Sequence, residues 1–209
     1  MKVTLISKTV SCIEDINTLG GLIAYTARVS NPTNQMNTQT APKLLAYLRK
    51  HGHWSPFEMC SMCVEIHTTR DISRQILRHR SFSFQEFSQR YAEADSEPWY
   101  REARLQDPSN RQNSIEILDQ KLHDEWYELQ ADVWEETQRA YKWALARGLA
   151  KEQARVVLPE GNTATTLYMN GTIRSWLHYV EVRSGSDTQK EHREIALAVR
   201  SLLEKENIL

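Results

Sequence analysis

A short stretch of the chain, from residue 70 to residue 91, concentrates the side chains that could bind an anion. Only Asp71 and Glu86 oppose its positive charge. Guanidinium groups suit phosphate oxygens because they donate two parallel hydrogen bonds and stay charged at any working pH. An arginine-rich, solvated helix face would explain the charge as well. The basic residues in question are Arg70, Arg74, Arg78, Arg80 and Arg90, with His79 among them.

The residues that follow the arginines favour a binding site over a solvated face. From Ser83 to Tyr91 the chain alternates hydroxyl, amide, carboxylate and guanidinium groups. A solvated helix face does not require such a series, whereas a ligand made of a small polar ring and a phosphate needs these donors and acceptors. We therefore expect this segment to bind a phosphorylated small molecule.

The composition excludes several other kinds of protein. The 209 residues carry 26 Lys and Arg against 27 Asp and Glu, so the surface as a whole is not built to coat nucleic acid. The 7 glycines include one adjacent pair, Gly20–Gly21, and form neither of the glycine-rich phosphate loops. We expect a single domain over residues 1–209 that binds phosphate through side chains.

Membrane insertion and disulfide bonding are not expected. No stretch approaches the about 20 apolar residues of a membrane helix, and the first residues turn polar too early for a signal peptide. The 3 cysteines, Cys12, Cys60 and Cys63, are too few and too uneven for a disulfide framework. These features predict a cytoplasmic protein.

The elements that must position the polar segment are short strands and amphipathic helices. Alternating or β-branched residues predict strands over residues 2–11, 57–68 and 163–169. Helical spacing predicts a helix up to Ala27, capped by Ser11 or Asp15, and further helices over residues 42–50, 72–80, 114–148, 173–182 and 187–204, with a short one ending at Pro159. Residues 95–112 predict a mobile loop or lid. We expect an α/β (α+β) domain with a mixed sheet, long helices and a helical excursion.

The arginine segment resembles the signature of the flavin-dependent thymidylate synthase family. That signature is R-H-R-x-x-S-x-N-x-x-S-x-R-Y, and residues 78–91 match every fixed position except one, where Gln85 replaces Asn. Residues 51–58, 154–159 and 174–191 are similar to further segments of the family in the same order. Asp187 stands where many members have a histidine, so it is given no role.

The resemblance implies a role for each matching residue. It implies that flavin adenine dinucleotide (FAD) is bound by Ser55, Glu58, Arg78, His79, Arg80, Glu86, Thr172, Ile173, Arg174 and His178. It implies that deoxyuridine monophosphate (dUMP) is bound by Gln75, Arg78, Glu86, Phe87, Ser88, Gln89, Arg90, Arg155 and Arg183. Arg183 matches the catalytic arginine that favours ionisation of the uracil N3.

The resemblance also implies the reaction and the assembly. The reaction is the reductive methylation of dUMP to dTMP, with methylenetetrahydrofolate as the one-carbon donor and NADPH as the reductant of FAD. A fixed guanidinium beside a neutral pyrimidine stabilises the negative charge that develops on the ring. The family forms homotetramers in which the subunits share each flavin site.

Other interpretations of these residues stay open. A nucleic-acid-binding module could use the arginines on a phosphate backbone, with an affinity that falls steeply with salt. A flavoprotein of different chemistry would bind the flavin without converting dUMP. Cys60 and Cys63 have zinc-pair spacing, but in a strand they point to opposite faces, so we expect no metal site. His53 is either a capping or core histidine or part of the flavin-binding turn.

Overall fold

A four-stranded antiparallel sheet organises the structure, which is a computed structural model that describes all residues from 1 to 209. The strand order is β1-β2-β6-β3, where β1 is Lys2–Lys8, β2 is Ser61–Thr69, β3 is Ser83–Glu86 and β6 is Ala164–Thr172. Strands β4 (Arg104–Gln106) and β5 (Ser114–Glu116) form a separate antiparallel hairpin. The expected α+β class is confirmed. Every strand pair is antiparallel, so the sheet is antiparallel where a mixed sheet was expected. The burial pattern of a strand does not encode the direction of the neighbouring strand.

Helices account for most of the remaining chain. They are α1 (Leu19–Ala27), α2 (Ala41–Lys50), α3 (Arg70–Ile76), α4 (Gln120–Ala146), α5 (Lys151–Ala154), α6 (Ile173–Arg183) and α7 (Lys190–Lys205). Short 3-10 turns lie at Pro32–Asn34, Ser55–Glu58 and Arg155–Val157. None of these helices has both the length and the apolar character that a membrane crossing requires.

The main hydrophobic core lies between the sheet and five of the helices. The residues of β2 at period two, Met62, Val64 and Ile66, are buried there as the sequence predicts. Side chains from α1, α2, α3, α6 and α7 complete the same cluster, with Trp176 and Tyr179 as its largest members. Helix α4 instead packs in a smaller cluster through Tyr141 and Ala144, and it is thus the expected helical excursion.

Two strands pass directly into the helices that carry site residues. Strand β2 is followed at once by α3, and β6 by α6, whose first turn is capped when the Thr172 hydroxyl accepts a hydrogen bond from the Ser175 backbone N–H. Because β2 and β6 are antiparallel, with Thr69 opposite Ala164 and Ser61 opposite Thr172, the two helices begin at opposite ends of the sheet. The C-terminal end of α6 can therefore meet the chain that leaves α3.

Several predicted boundaries were wrong for identifiable reasons. Helix α3 ends at Ile76 instead of Arg80, because the chain turns there to place β3 beside β6, so Arg78 and His79 lie in a turn. The long helix begins at Gln120 instead of residue 114, because residues 114–116 pair with β4 and Asp119 caps the helix. The predicted loop 95–112 therefore contains a strand. Helix α1 is capped by Thr18, and not by Ser11 or Asp15.

Candidate functional site

A cleft beside the N-terminal half of α6 brings together three residues that the sequence assigned to flavin binding. This α6 cleft has a volume of about 400 Å³ and is lined by Trp54, Glu58, Ser81, Arg174, Ser175, His178 and Glu181. Ligand-binding pockets in proteins usually measure about 300–1,000 Å³. Arg174 forms an ion pair with Glu58 in the cleft, and Ser175 Oγ donates a hydrogen bond to the carbonyl of Ser81 over 3.3 Å.

The sequence of α6 explains which side chains reach this cleft. Arg174 and His178 are one helical turn apart and share the exposed face of the helix. Ile173, in contrast, is completely buried in the core, and the Thr172 side chain is used in capping. Of the residues in this region, the cleft is thus lined by Arg174 and His178, while Thr172 and Ile173 have only their backbone to offer a ligand.

Two arginines in the turn that follows α3 have no acidic partner. Arg78 and Arg80 are exposed, and no carboxylate of the chain lies within ion-pair distance of either. Arg80 directly precedes Ser81, which lines the cleft. Ser55 is exposed at the start of the 3-10 turn that also carries Glu58. Both guanidinium charges are therefore available to an anionic ligand.

The last residue of α6 is held by the turn that follows α3. Arg183 Nε donates a hydrogen bond to His79 Nε2 over 3.0 Å. Both side chains are half-buried, and Arg183 makes no ion pair. The pKa of His79 is lowered to about 4, first by burial and then by its neighbours Arg183, His178 and Arg78. The imidazole is therefore neutral at physiological pH and can accept this bond.

A chain of amides lies next to that pair. Gln75 Nε2 donates to Gln189 Oε1 over 2.7 Å, and Gln189 Nε2 donates to Glu191 Oε2 over 3.0 Å. Burial alone would raise the pKa of Glu191, but the charges of Arg101 and Arg104 hold it below its usual value. The bond to Gln189 holds Gln75 in a fixed orientation. A second cleft of about 520 Å³ opens beside Gln189, and the β4–β5 hairpin and α4 form its other walls.

Glu86, at the end of β3, is a fixed carboxylate. Its Oε1 accepts hydrogen bonds from Ser73 Oγ over 2.8 Å and from Thr165 Oγ1 over 2.9 Å, and Arg70 Nη1 lies 3.2 Å away. Arg70 also donates to the carbonyl of Phe87 over 3.1 Å. Because all of these donors use Oε1, the Oε2 atom of Glu86 is left for a ligand.

The turn after β3 carries the remaining predicted nucleotide-binding residues. Ser88 is exposed, Gln89 is buried, and Arg90 Nε donates to Glu152 over 3.0 Å at the surface. Arg155, in the 3-10 turn Arg155–Val157, is half-buried and has no acidic partner. Phe87 lines another cleft, separate from the α6 cleft. No hydrogen bond or cleft joins these residues to Arg183. Within one chain, the predicted dUMP-binding set is therefore divided between two places.

Some residues of the site escaped the sequence interpretation. His192 is completely buried on α7 and contacts Gln75 Oε1 through Nδ1 over 3.3 Å. Its spacing to the buried residues Ile195, Ala196 and Val199 is that of a core-facing position, and this spacing is the signal that could have identified it. His53, in contrast, is exposed and packs against the rings of Tyr47 and His51, so it is not a core histidine.

The two neighbouring cysteines do not have the character of nucleophiles. Cys60 is buried just before β2, and burial raises the pKa of its thiol to about 11. Burial also raises the pKa of Cys63, which lies in the strand. A reactive cysteine needs a lowered pKa, because the thiolate is the attacking form. Neither thiol is therefore activated.

The chain matches a known family over nearly its whole length. Residues 13–207 match the family model Thy1, described as thymidylate synthase complementing protein. A probable flavin-dependent thymidylate synthase of Paramecium bursaria Chlorella virus 1 is 48% identical over 206 residues, which cover 99% of this chain and 95% of that protein. A flavin-dependent thymidylate synthase of Synechocystis sp. is 55% identical over 185 residues, or 88% of this chain and 84% of that protein.

A solved structure has the same fold. The crystal structure of a UMP/dUMP methylase from Streptomyces cacaoi, bound with 5-Br dUMP, superposes with a TM-score of 0.84 at 25% identity. The superposition covers 98% of this chain and 90% of that one.

Proposed function

This chain belongs to the thymidylate synthase complementing protein family, and we propose that it is a flavin-dependent thymidylate synthase that forms dTMP from dUMP. Its curated relatives of 48% and 55% identity bear that name. The structural observation that supports this chemistry best is the guanidinium of Arg183, which is held in place through Nε and has no acidic partner. A fixed positive charge beside a uracil ring stabilises the negative charge that develops on the ring during methylation.

The α6 cleft fits part of a flavin nucleotide. It offers cationic, acceptor and hydroxyl groups from Arg174, Glu58 and Ser175, and a Trp54 ring, which are the groups that phosphate, ribose and flavin ring require. When bound, the flavin supplies the electron pair that reduces the transferred carbon. The residues we propose to hold it are Ser55, Glu58, Arg78, Arg80, Glu86, Arg174 and His178, with His79 close by and with Thr172 and Ile173 through their backbone.

We place dUMP on the remaining predicted residues. The unpaired guanidinium of Arg155 and the surface guanidinium of Arg90 suit the phosphate, while Glu86 Oε2 is free to accept a hydrogen bond. Gln75 is oriented by its bonds to Gln189 and His192. The proposed substrate set is completed by Arg78, Phe87, Ser88, Gln89 and Arg183.

Arg183 is the proposed catalytic residue. A neutral uracil ring is a poor nucleophile at C5, and loss of the N3 proton makes the ring electron-rich. A fixed guanidinium next to N3 stabilises the resulting anion, and a preorganised donor of this kind contributes about 10²–10³ in rate. Arg183 therefore acts by electrostatic stabilisation and does not need to transfer a proton itself.

We propose a homotetramer in which neighbouring subunits complete each site. The division of the dUMP-binding set within one chain supports this assembly. Helix α4 also leaves large apolar side chains exposed, among them Trp126 at 41%, Leu129 at 59% and Val133 at 56%. Contiguous exposed apolar surface marks protein interfaces. We propose that this α4 face is buried in the tetramer.

The co-substrates are proposed from the family. We propose methylenetetrahydrofolate as the one-carbon donor and NADPH as the reductant. We also propose a cytoplasmic location, which the free state of Cys12, Cys60 and Cys63 supports. The nucleic-acid alternative is weaker, because basic and acidic residues balance over the chain and Arg74 is paired with Glu160.

The test is a turnover assay in which each component is omitted in turn. The purified protein is reconstituted with FAD and incubated with dUMP, methylenetetrahydrofolate and NADPH, and dTMP is measured by chromatography. We expect dTMP only in the complete mixture, together with flavin absorbance of the protein. Flavin binding without dTMP would indicate a flavoprotein of different chemistry, and dTMP formation without FAD would contradict the proposal.

A further inference from the structure

We infer that His79 is a positioning residue, whose neutral imidazole holds Arg183 through Nε so that both Nη atoms face the pyrimidine. The inference rests on the proposed function, since it concerns how the uracil ring is bound. It adds to the role that the resemblance implies for His79, which is flavin binding. In this structure the His79 Nε2 atom is already engaged by Arg183 over 3.0 Å.

The bond fixes the protonation state of His79. A guanidinium has only donors, so the Nε2 atom of His79 must be the acceptor. The imidazole therefore carries its proton on Nδ1 and has no charge. The charged and titratable groups that face it are Arg183 and His178 on α6, His192 on α7 and Arg78 in its own turn. Arg183, His178 and Arg78 disfavour a positive charge on His79, and they therefore support its neutral form.

The imidazole is held on three sides by rings from different elements. Its centroid lies 5.0 Å from Tyr179 on α6, 6.2 Å from His192 on α7 and 6.4 Å from Phe82, each in an edge-to-face arrangement. Tyr179 and His192 are completely buried. His79 therefore has little freedom to rotate, and the bond that it accepts restricts Arg183 in turn.

The guanidinium group of Arg183 therefore has a defined orientation. With Nε occupied, Nη1 and Nη2 form the only free edge of the guanidinium, and neither makes a side-chain hydrogen bond or an ion pair within the chain. This edge offers two parallel donors, which match a ring nitrogen anion and its adjacent carbonyl. Orientation before binding is what gives such a donor pair its effect on the rate.

A double-mutant cycle tests whether His79 acts through Arg183. His79→Leu removes the acceptor, while His79→Gln places an amide oxygen near the position of Nε2. The readouts are the dissociation constant of dUMP, the kcat for dTMP formation and the flavin content measured by absorbance. In the otherwise native chain we expect His79→Leu to weaken dUMP binding and lower kcat, each by about tenfold. The variants are compared at matched flavin loading, and His79→Gln should restore most of the loss.

The Arg183→Ala background separates positioning from flavin binding. There we expect His79→Leu to leave the dUMP dissociation constant unchanged, because the partner is already absent. An equal loss in both backgrounds, or a loss that follows the flavin content, would overturn the inference. If the unmutated protein forms no dTMP, the proposed function fails, whereas the cycle in dUMP affinity still measures the coupling.

A measurement on the unmutated protein covers the case in which the variants do not fold. Histidine ¹⁵N NMR at pH 7 distinguishes a neutral ring protonated at Nδ1 from one protonated at Nε2 and from the cation. We expect His79 to be neutral with its proton on Nδ1. A proton on Nε2, in either the neutral or the charged ring, would contradict the hydrogen bond to Arg183.

Discussion

The ring of Phe82 lies directly on the backbone of Gly171, so that a Cβ at position 171 would be 2.4 Å from Phe82 Cδ1. Gly171 belongs to β6, and Phe82 belongs to the turn that carries His79 and Arg80. The same ring packs edge-on against Trp176 at 4.6 Å between centroids. A glycine in the sheet thus permits the arginine turn to dock against α6.

Replacing this glycine should loosen the turn. We expect Gly171→Ala to force the Phe82 ring outward and to lower the free energy of unfolding by about 1–3 kcal/mol, which is the usual cost of overpacking. The matched control is Gly161→Ala, because nothing lies within 4 Å of a Cβ there. Thermal unfolding should show a lower melting temperature for Gly171→Ala alone. Equal melting temperatures for the two variants would contradict the close packing.

The ion pair of Arg174 with Glu58 leads to a prediction about flavin affinity. Arg174→Ala removes a cation from the wall of the α6 cleft, and charge-assisted hydrogen bonds contribute about 1.5–3 kcal/mol each. We therefore expect FAD affinity, measured by fluorescence titration, to fall by about tenfold to a hundredfold. Arg139→Ala is the control, since this arginine pairs with Glu136 on exposed α4. An unchanged FAD affinity for Arg174→Ala would exclude the cleft as a flavin site.

The buried His192 predicts a loss of stability in mild acid. Its pKa is lowered to about 3, first by burial and then by its neighbours Arg183 and His79, whereas an unfolded histidine titrates near 6.5. The unfolded chain thus binds the proton more readily, so this contribution to stability is present above about pH 6.5 and is lost as the pH falls.

Denaturant unfolding at pH 7.5 and pH 5 measures this effect. His192→Gln, which cannot become charged, should lose less stability than the unmutated protein between the two pH values, by about 2 kcal/mol. His51→Gln, at an exposed position, should follow the unmutated protein. The same pH dependence in all three proteins would show that His192 does not remain neutral in the folded state.

Local patterns allowed the main elements to be predicted, but not where helix α3 ends or α4 begins. The alternation in β2 identified Met62, Val64 and Ile66 as core residues, because period two depends only on neighbouring residues. The end of α3 at Ile76 depends on the pairing of β3 with the distant β6. The same is true at residue 114, where pairing with β4 prevails over a helical pattern.

For the site, the residue types were predictable but their partners were not. The polar alternation after Arg78 pointed to a ligand, and the family resemblance supplied individual roles. That Arg183 would contact His79, more than a hundred residues earlier, follows from the packing of α6 against the turn. His192 was overlooked because a polar residue on an amphipathic helix is read as exposed, although its register is that of the core.

The most direct test of the account is the conversion of dUMP to dTMP by the Arg183→Ala variant at matched flavin loading. The control is Arg200→Ala, whose guanidinium pairs with Glu204 on the exposed side of α7. We predict that Arg183→Ala binds FAD normally and forms dTMP about 10²–10³ times more slowly, while Arg200→Ala retains the rate of the unmutated protein. Full activity of Arg183→Ala would contradict the proposed role of the guanidinium at the uracil ring.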